Sequence, residues 1–139
     1  MTVNQISVFV ENTPGALQGM TDVLAQHDID MRALSLAEAE DFGIVRLIVN
    51  DVYNAAGVLK EAGYVYSLTP VVAAAIPDSP GGLNKVLEII ARAGINIDYM
   101  YAFLGGNGSK HAYMIFRVAD AAAAAAALKK QGINVVDQI

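Results

Sequence analysis

A chain of 139 residues, 55% hydrophobic and 17% charged with a net charge of −5, is apolar for a small domain and acidic. The acidity argues against nucleic acid as a partner, because phosphate binding needs clustered lysine and arginine. The absence of cysteine excludes disulfides and thiolate metal sites. No apolar run approaches the roughly 18–20 residues of a membrane span, and Met1-Thr2-Val3-Asn4 does not open a signal peptide. A cytoplasmic location and no membrane partner are therefore expected.

In chain order, Val3–Val10 alternates Ile6, Val8 and Val10 on one face and predicts a strand. Asn12-Thr13-Pro14-Gly15 follows. Thr13 suits an N-cap and Pro14 the first helical position, and Leu17, Met20, Val23 and Leu24 supply one apolar face. That helix is expected to stop near His27-Asp28. Met31–Ala37 and Ile44–Val49 read as strands. Asp51 caps a helix that Gly63 ends, and Tyr64–Thr69 reads as a fourth strand. The second half repeats the order: strands over Val71–Ile76, Ile97–Leu104, His111–Val118 and Ile133–Asp137, and helices over Ser79–Ala93 and Asp120–Gln131.

The halves also match residue by residue. Asn12-Thr13-Pro14-Gly15-Ala16-Leu17 returns as Asp78-Ser79-Pro80-Gly81-Gly82-Leu83, and Ile29-Asp30-Met31 returns as Ile95-Asn96-Ile97. Asp51 meets Asp120 and Gly63 meets Gly132, once a short insertion in Gly105–Ser109 is allowed for. The expected fold is α+β: two ferredoxin-like βαββαβ units in tandem, over 1–70 and 71–139, each an antiparallel sheet with its helices on one face. Pro70 is expected to act as a very short linker. The two units fill the chain, so no separate catalytic domain is expected.

The two Pro-Gly turns, the apolar-Asn/Asp-apolar steps and the duplication together resemble a tandem pair of ACT domains over the whole chain. The resemblance implies a regulatory module without catalysis, which binds an amino acid or another small metabolite at domain interfaces. ACT domains usually control an attached enzyme. None is expected to be attached here, and the target is expected to be a separate protein.

The residues give a physical case for a site at the turns. A helix N-terminus offers unpaired N–H groups and a partial positive charge. The N–H groups of Gly15, Ala16 and Leu17, and of Gly81, Gly82 and Leu83, are candidates for holding a carboxylate. Asn12 could bond either end of an amino acid and Asp78 its ammonium group. Asn96 and Ile97, at the step after the helix, complete the candidate set. Plain helix capping explains the same residues without a ligand.

Other features favour ordinary roles. Tyr99, Tyr101 and Phe103 share a strand face with Phe9, Tyr113 and Ile115, which is expected to be covered in a homodimer. Gly105–Ser109 lacks a phosphate-loop ending and reads as a hairpin, or as a lid beside the site. His27 and His111 sit apart and have no further ligands at metal spacing, so no metal or cofactor is expected. No nucleophile–base pair stands out. A non-catalytic amino-acid sensor is the leading expectation. A small ferredoxin-like enzyme and a ligand-free structural partner are the alternatives.

Overall fold

The computed structural model describes residues 2–104 and 111–139. The elements are β1 (Val3–Glu11), α1 (Ala16–Gln26), β2 (Met31–Ala39), β3 (Phe42–Val49), α2 (Val52–Glu61), β4 (Tyr66–Pro77), α3 (Gly82–Arg92), β5 (Tyr99–Leu104), β6 (His111–Arg117), α4 (Ala121–Lys130) and β7 (Asn134–Val136). The chain divides into two compact units, one built on Asn4–Thr69 and the other on Pro70–Gln138.

In the first unit the strand order is β2-β3-β1-β4. The β1–β3 and β2–β3 pairings are antiparallel, with Val8 opposite Val45 and Leu36 opposite Val45 across the two ladders. One face of this sheet packs Ile6, Val8, Val10, Val45 and Leu47 against Met20 and Leu24 of α1 and Ala55 and Leu59 of α2. The second unit repeats the arrangement as β7-β4-β6-β5, again antiparallel. Its core joins Val72, Ala74, Ile76, Met114, Phe116 and Val135 to Val86 and Ile90 of α3 and Leu128 of α4. Both are α+β units of the expected ferredoxin-like kind. The alanine-rich α4 turns Ala121, Ala124 and Ala125 inward, where small side chains let the helix lie close.

Two local expectations are corrected. Tyr64–Thr69 and Val71–Ile76 are not separate strands, because β4 runs from Tyr66 to Pro77 without a break at Pro70. Proline's fixed φ suits an extended chain, and its missing N–H matters only where a ladder needs a donor. The helices after the Pro-Gly turns begin later than expected, at Ala16 and Gly82, and neither Thr13 nor Ser79 makes a side-chain cap. The reason is a turn of its own. The Thr13 carbonyl accepts from the Ala16 N–H at 3.2 Å, and the Ser79 carbonyl from the Gly82 N–H at 3.1 Å. With proline first and a left-handed glycine second, these are type II turns placed ahead of each helix.

On the opposite face of the second unit's sheet, Tyr99, Tyr101 and Tyr113 are half-buried and Ile115 is fully buried. Phe9 of the first unit is 41% exposed and stands 6.0 Å from Phe42, ring centre to ring centre. The side chain of Phe103 and the expected hairpin or lid at Gly105–Ser109 lie outside the described residues.

Candidate functional site

The four helices of the described residues start in two different ways. At α2 the Asp51 carboxylate accepts from the Asn54 N–H at 3.1 Å, and at α4 the Asp120 carboxylate accepts from the Ala123 N–H at 3.0 Å. Each of these side chains satisfies one of the donors that a helix start leaves over. At α1 and α3 the N-cap is Gly15 or Gly81, with φ/ψ of 83/−9° and 83/−6°, and a glycine has no side chain to cap the first turn. Both glycines are exposed, and a Cβ on either would meet nothing within 4 Å. These two helix N-termini therefore have no aspartate cap of the kind found at α2 and α4.

The turn closure removes one candidate donor on each side. The Ala16 and Gly82 N–H groups already donate to their own turns. Leu17 and Leu83 send their side chains into the two cores, so only their backbone N–H groups remain to face a ligand. Gly82 is close-packed on its other side, where a Cβ would fall 2.4 Å from the Pro77 carbonyl oxygen. Ala16, the matching residue of the first turn, carries a Cβ and packs against the first core.

Asn12 has a structural duty. Its Nδ2 donates to the Glu40 carbonyl at 3.0 Å and its backbone N–H to the Asp41 carbonyl at 3.1 Å. Glu40 takes a left-handed backbone, φ 53°, at the tip of the β2–β3 hairpin. The residue thus ties the turn to that hairpin. Asp78 is exposed at the matching position of the second unit.

Asn96 and Ile97 do not join the Gly81 turn within their unit. They follow the C-terminal end of α3, and eleven helical residues separate the two ends by about 16 Å. Ile97 packs against the second core, and Asn96 Nδ2 donates to Asp98 at 3.3 Å. The corresponding Asp30 pairs with Arg32 at 3.2 Å, and its backbone N–H donates to the Asn50 side chain.

Two cavities flank the first turn. One, of about 380 Å³, is lined by Phe9, Val10, Glu11, Ala16, Gly63, Tyr64 and Val65. That size falls within the usual range for small-ligand pockets. The other, of about 90 Å³, lies among Asn12, Thr13, Leu17, Leu36, Glu38 and Gly43. Sequence reasoning missed Glu11, Leu36, Glu38, Tyr64 and Val65 here. The signal was topological: in a βαββαβ unit the end of β1, the start of α1, the β2–β3 hairpin and the approach to β4 all meet at one end.

Among the described residues, no three His, Cys, Asp or Glu side chains converge as metal ligands, and no helix is long and apolar enough to cross a membrane. His27 Nδ1 lies 2.9 Å from the Val23 carbonyl, a helix-end contact.

The comparisons with known proteins agree with this architecture. The family model for an ACT domain pair matches residues 1–138. The crystal structure of protein BT0572 from Bacteroides thetaiotaomicron is similar with a TM-score of 0.90 and 36% identity, over 98% of this chain and 92% of that one. The ligand-free regulatory subunit of aspartate kinase from Thermus thermophilus gives a TM-score of 0.66 at 19% identity, over 91% of each chain. The corresponding subunit from Thermus flavus gives 0.63 at 17%, over 91% of this chain and 90% of that one. At those identities the kinase subunits show a shared fold alone. No curated protein matches the chain. Two ferredoxin-like units, each opening its first helix with an uncapped Pro-Gly turn, and a family match over nearly every residue make this chain a member of the ACT domain pair family.

Proposed function

We propose that the chain is a non-catalytic regulatory module that binds a free amino acid at the first Pro-Gly turn, and that it acts as a homodimer on a separate target protein. The observation that carries the reading is the contrast between helix starts. Aspartate caps α2 and α4, whereas α1 and α3 begin on exposed left-handed glycines that bring no capping side chain. A ligand carboxylate supplies there what Asp51 and Asp120 supply elsewhere. The first turn is chosen because two of the described cavities border it, with the exposed Glu11 and Glu38 among their lining residues. Those acids complement an ammonium group, so the two ends of a zwitterion find opposite partners. The names of the aspartate kinase regulatory subunits that share the fold support a regulatory role.

A thermal-shift screen of free amino acids tests this. A ligand that binds only the folded state at a hundredfold excess over Kd adds about 2.7 kcal/mol, a rise of roughly 5–10 °C for a chain of this size. The matching amide, which lacks the carboxylate, should lose most of the shift, and Glu38→Gln should reduce it. If none of the common amino acids shifts the melting point at millimolar concentration, the reading fails.

A further inference from the structure

We propose that the second unit binds a small organic dianion, a phosphate monoester or a dicarboxylate, in a cleft between the C-terminal ends of α3 and α4, and that Arg92 and Lys130 hold its charge. This site is additional to the amino-acid site and belongs to the other unit. A cavity of about 230 Å³ lies there, lined by Ile89, Arg92, Ala93, Ala127, Lys130 and Gln131. It is smaller than the usual pocket for a drug-sized ligand and suits a metabolite of a few carbons. The lining holds two cations, one amide and no acid. Glu88, one turn before Arg92 on α3, is not part of it. Among the described residues neither Arg92 nor Lys130 has an ion pair or a side-chain hydrogen bond, and nor has the Gln131 amide. Two like charges at one cleft repel each other, and an anion between them reverses the sign of that interaction.

Cations at helix C-termini ordinarily offset the helix dipole or bond the last carbonyls. Neither role needs this pair. At α3 the Gly94 and Ile95 N–H groups donate to the Ala91 and Ile90 carbonyls at 3.0 and 3.2 Å, and at α4 the Gly132 and Ile133 N–H groups donate to the Lys129 and Leu128 carbonyls at 3.0 Å each. The backbone thus closes both helices by itself. The first unit makes the same helices without the two cations. In the pairing that sets Gly15 against Gly81, Arg92 meets Gln26, and in the pairing that sets Gly63 against Gly132, Lys130 meets Glu61. Gln26 Nε2 is engaged with Asp22 at 2.8 Å. Helix α1 has no basic residue in its last turn, and α4 has Lys129 there besides Lys130. The scaffold therefore folds with a neutral and an acidic residue where the second unit carries two cations. A guanidinium matches two oxygens of a carboxylate or phosphate in one plane, and an ammonium adds a point charge. The Gln131 amide can donate a further bond. Ile89, Ala93 and Ala127 leave apolar surface for the carbon body of the ligand.

Calorimetric titration of the intact chain with phenyl phosphate, succinate and inorganic phosphate, at about 0.15 M salt, tests the site. At least one of the two organic dianions should bind, and more tightly than inorganic phosphate, which has no carbon body. A preference for phenyl phosphate assigns a phosphate head group and a preference for succinate a dicarboxylate, and either supports the site. Arg92→Gln and Lys130→Glu install the residues of the first unit and should each weaken binding about tenfold. Lys60→Glu makes the same change of charge on α2 and should leave the affinity within about twofold. Amide resonances of residues 89–93 and 127–131 should shift on binding. Both substituted side chains are exposed, and unchanged melting points confirm that the variants are folded. No binding of either organic dianion at millimolar concentration overturns the site. So does an affinity that survives both substitutions, or one that Lys60→Glu lowers as much, which would show diffuse attraction to charge. Inorganic phosphate binding as tightly as the organic dianions overturns the organic ligand. Amide shifts confined to the Pro-Gly turns would put the anion at the helix starts and overturn the site as well.

Discussion

The first and second Pro-Gly turns share a backbone and differ in what surrounds it. Gly15 and Gly81 have the same φ and nearly the same ψ, and each sits within a type II turn closed by a threonine or serine carbonyl. Around the first turn, Asn12 bonds to the β2–β3 hairpin, Ala16 packs against the core and two cavities border it. At the second, the Pro77 carbonyl occupies the space where a Gly82 side chain would go. A duplicated motif therefore preserves conformation more strictly than environment. Two copies of one sequence pattern need not be two copies of one site.

The sharpest way to break this comparison is to add one carbon. Gly82→Ala forces the Pro77 carbonyl or α3 to move and should cost about 2–3 kcal/mol, as over-packing does, measured by urea unfolding. Ala16→Gly, the reverse change at the matching position, should cost no more than about 1 kcal/mol. Equal midpoints for Gly82→Ala and wild type would show that the close approach to Pro77 is not real.

A smaller effect is expected where the two turns agree. Gly15→Ala and Gly81→Ala place a Cβ in open space but on a left-handed backbone, so each should lose about 1–2 kcal/mol through conformation alone. The two losses should be similar, because the dihedrals are. If the amino-acid reading holds, Gly15→Ala should also weaken ligand binding more than its loss of stability explains, and Gly81→Ala should not. Calorimetric titration of both variants at a temperature where they are folded makes the distinction.

Smaller again is the contrast between capped and uncapped helices. Asp51→Ala and Asp120→Ala should each lower stability by about 1 kcal/mol. Thr13→Ala and Ser79→Ala remove side chains that cap nothing and should change the unfolding midpoint little. A loss at Thr13 as large as that at Asp51 would mean that the first turn is capped in solution after all.

Much of this fold is legible in the residues. The alternation of Ile6, Val8 and Val10, the aspartates before α2 and α4, and Gly63 and Gly132 after them each place an element within a few positions. Pro70 misleads because a proline is usually read as a break, whereas an extended strand accepts its φ. Thr13 misleads because a residue that can cap a helix does not have to. Pro14-Gly15 forms a turn of its own and moves the helix start to Ala16. The site is less legible than the fold. Asn96 and Ile97 belong to the same motif as the Gly81 turn, yet α3 holds them at its far end. Glu11, Glu38 and Tyr64 gather beside the first turn only through strand order, which local sequence does not spell out.

The bond from Asn12 to Glu40 also makes the hairpin depend on the chemistry of a single side-chain amide. Hydrolytic loss of ammonia from that amide would leave a carboxylate, an acceptor only, facing a carbonyl that needs a donor. One of the two bonds to the hairpin would be lost, the backbone bond to Asp41 remaining, and a negative charge would appear beside the cavity that Asn12 lines. An ageing reaction would thereby rewrite the first turn with the side chain that the second already carries at Asp78. Asn12→Asp reproduces the aged form, and its hairpin amides at Asp41 and Phe42 should exchange hydrogen faster than in fresh protein.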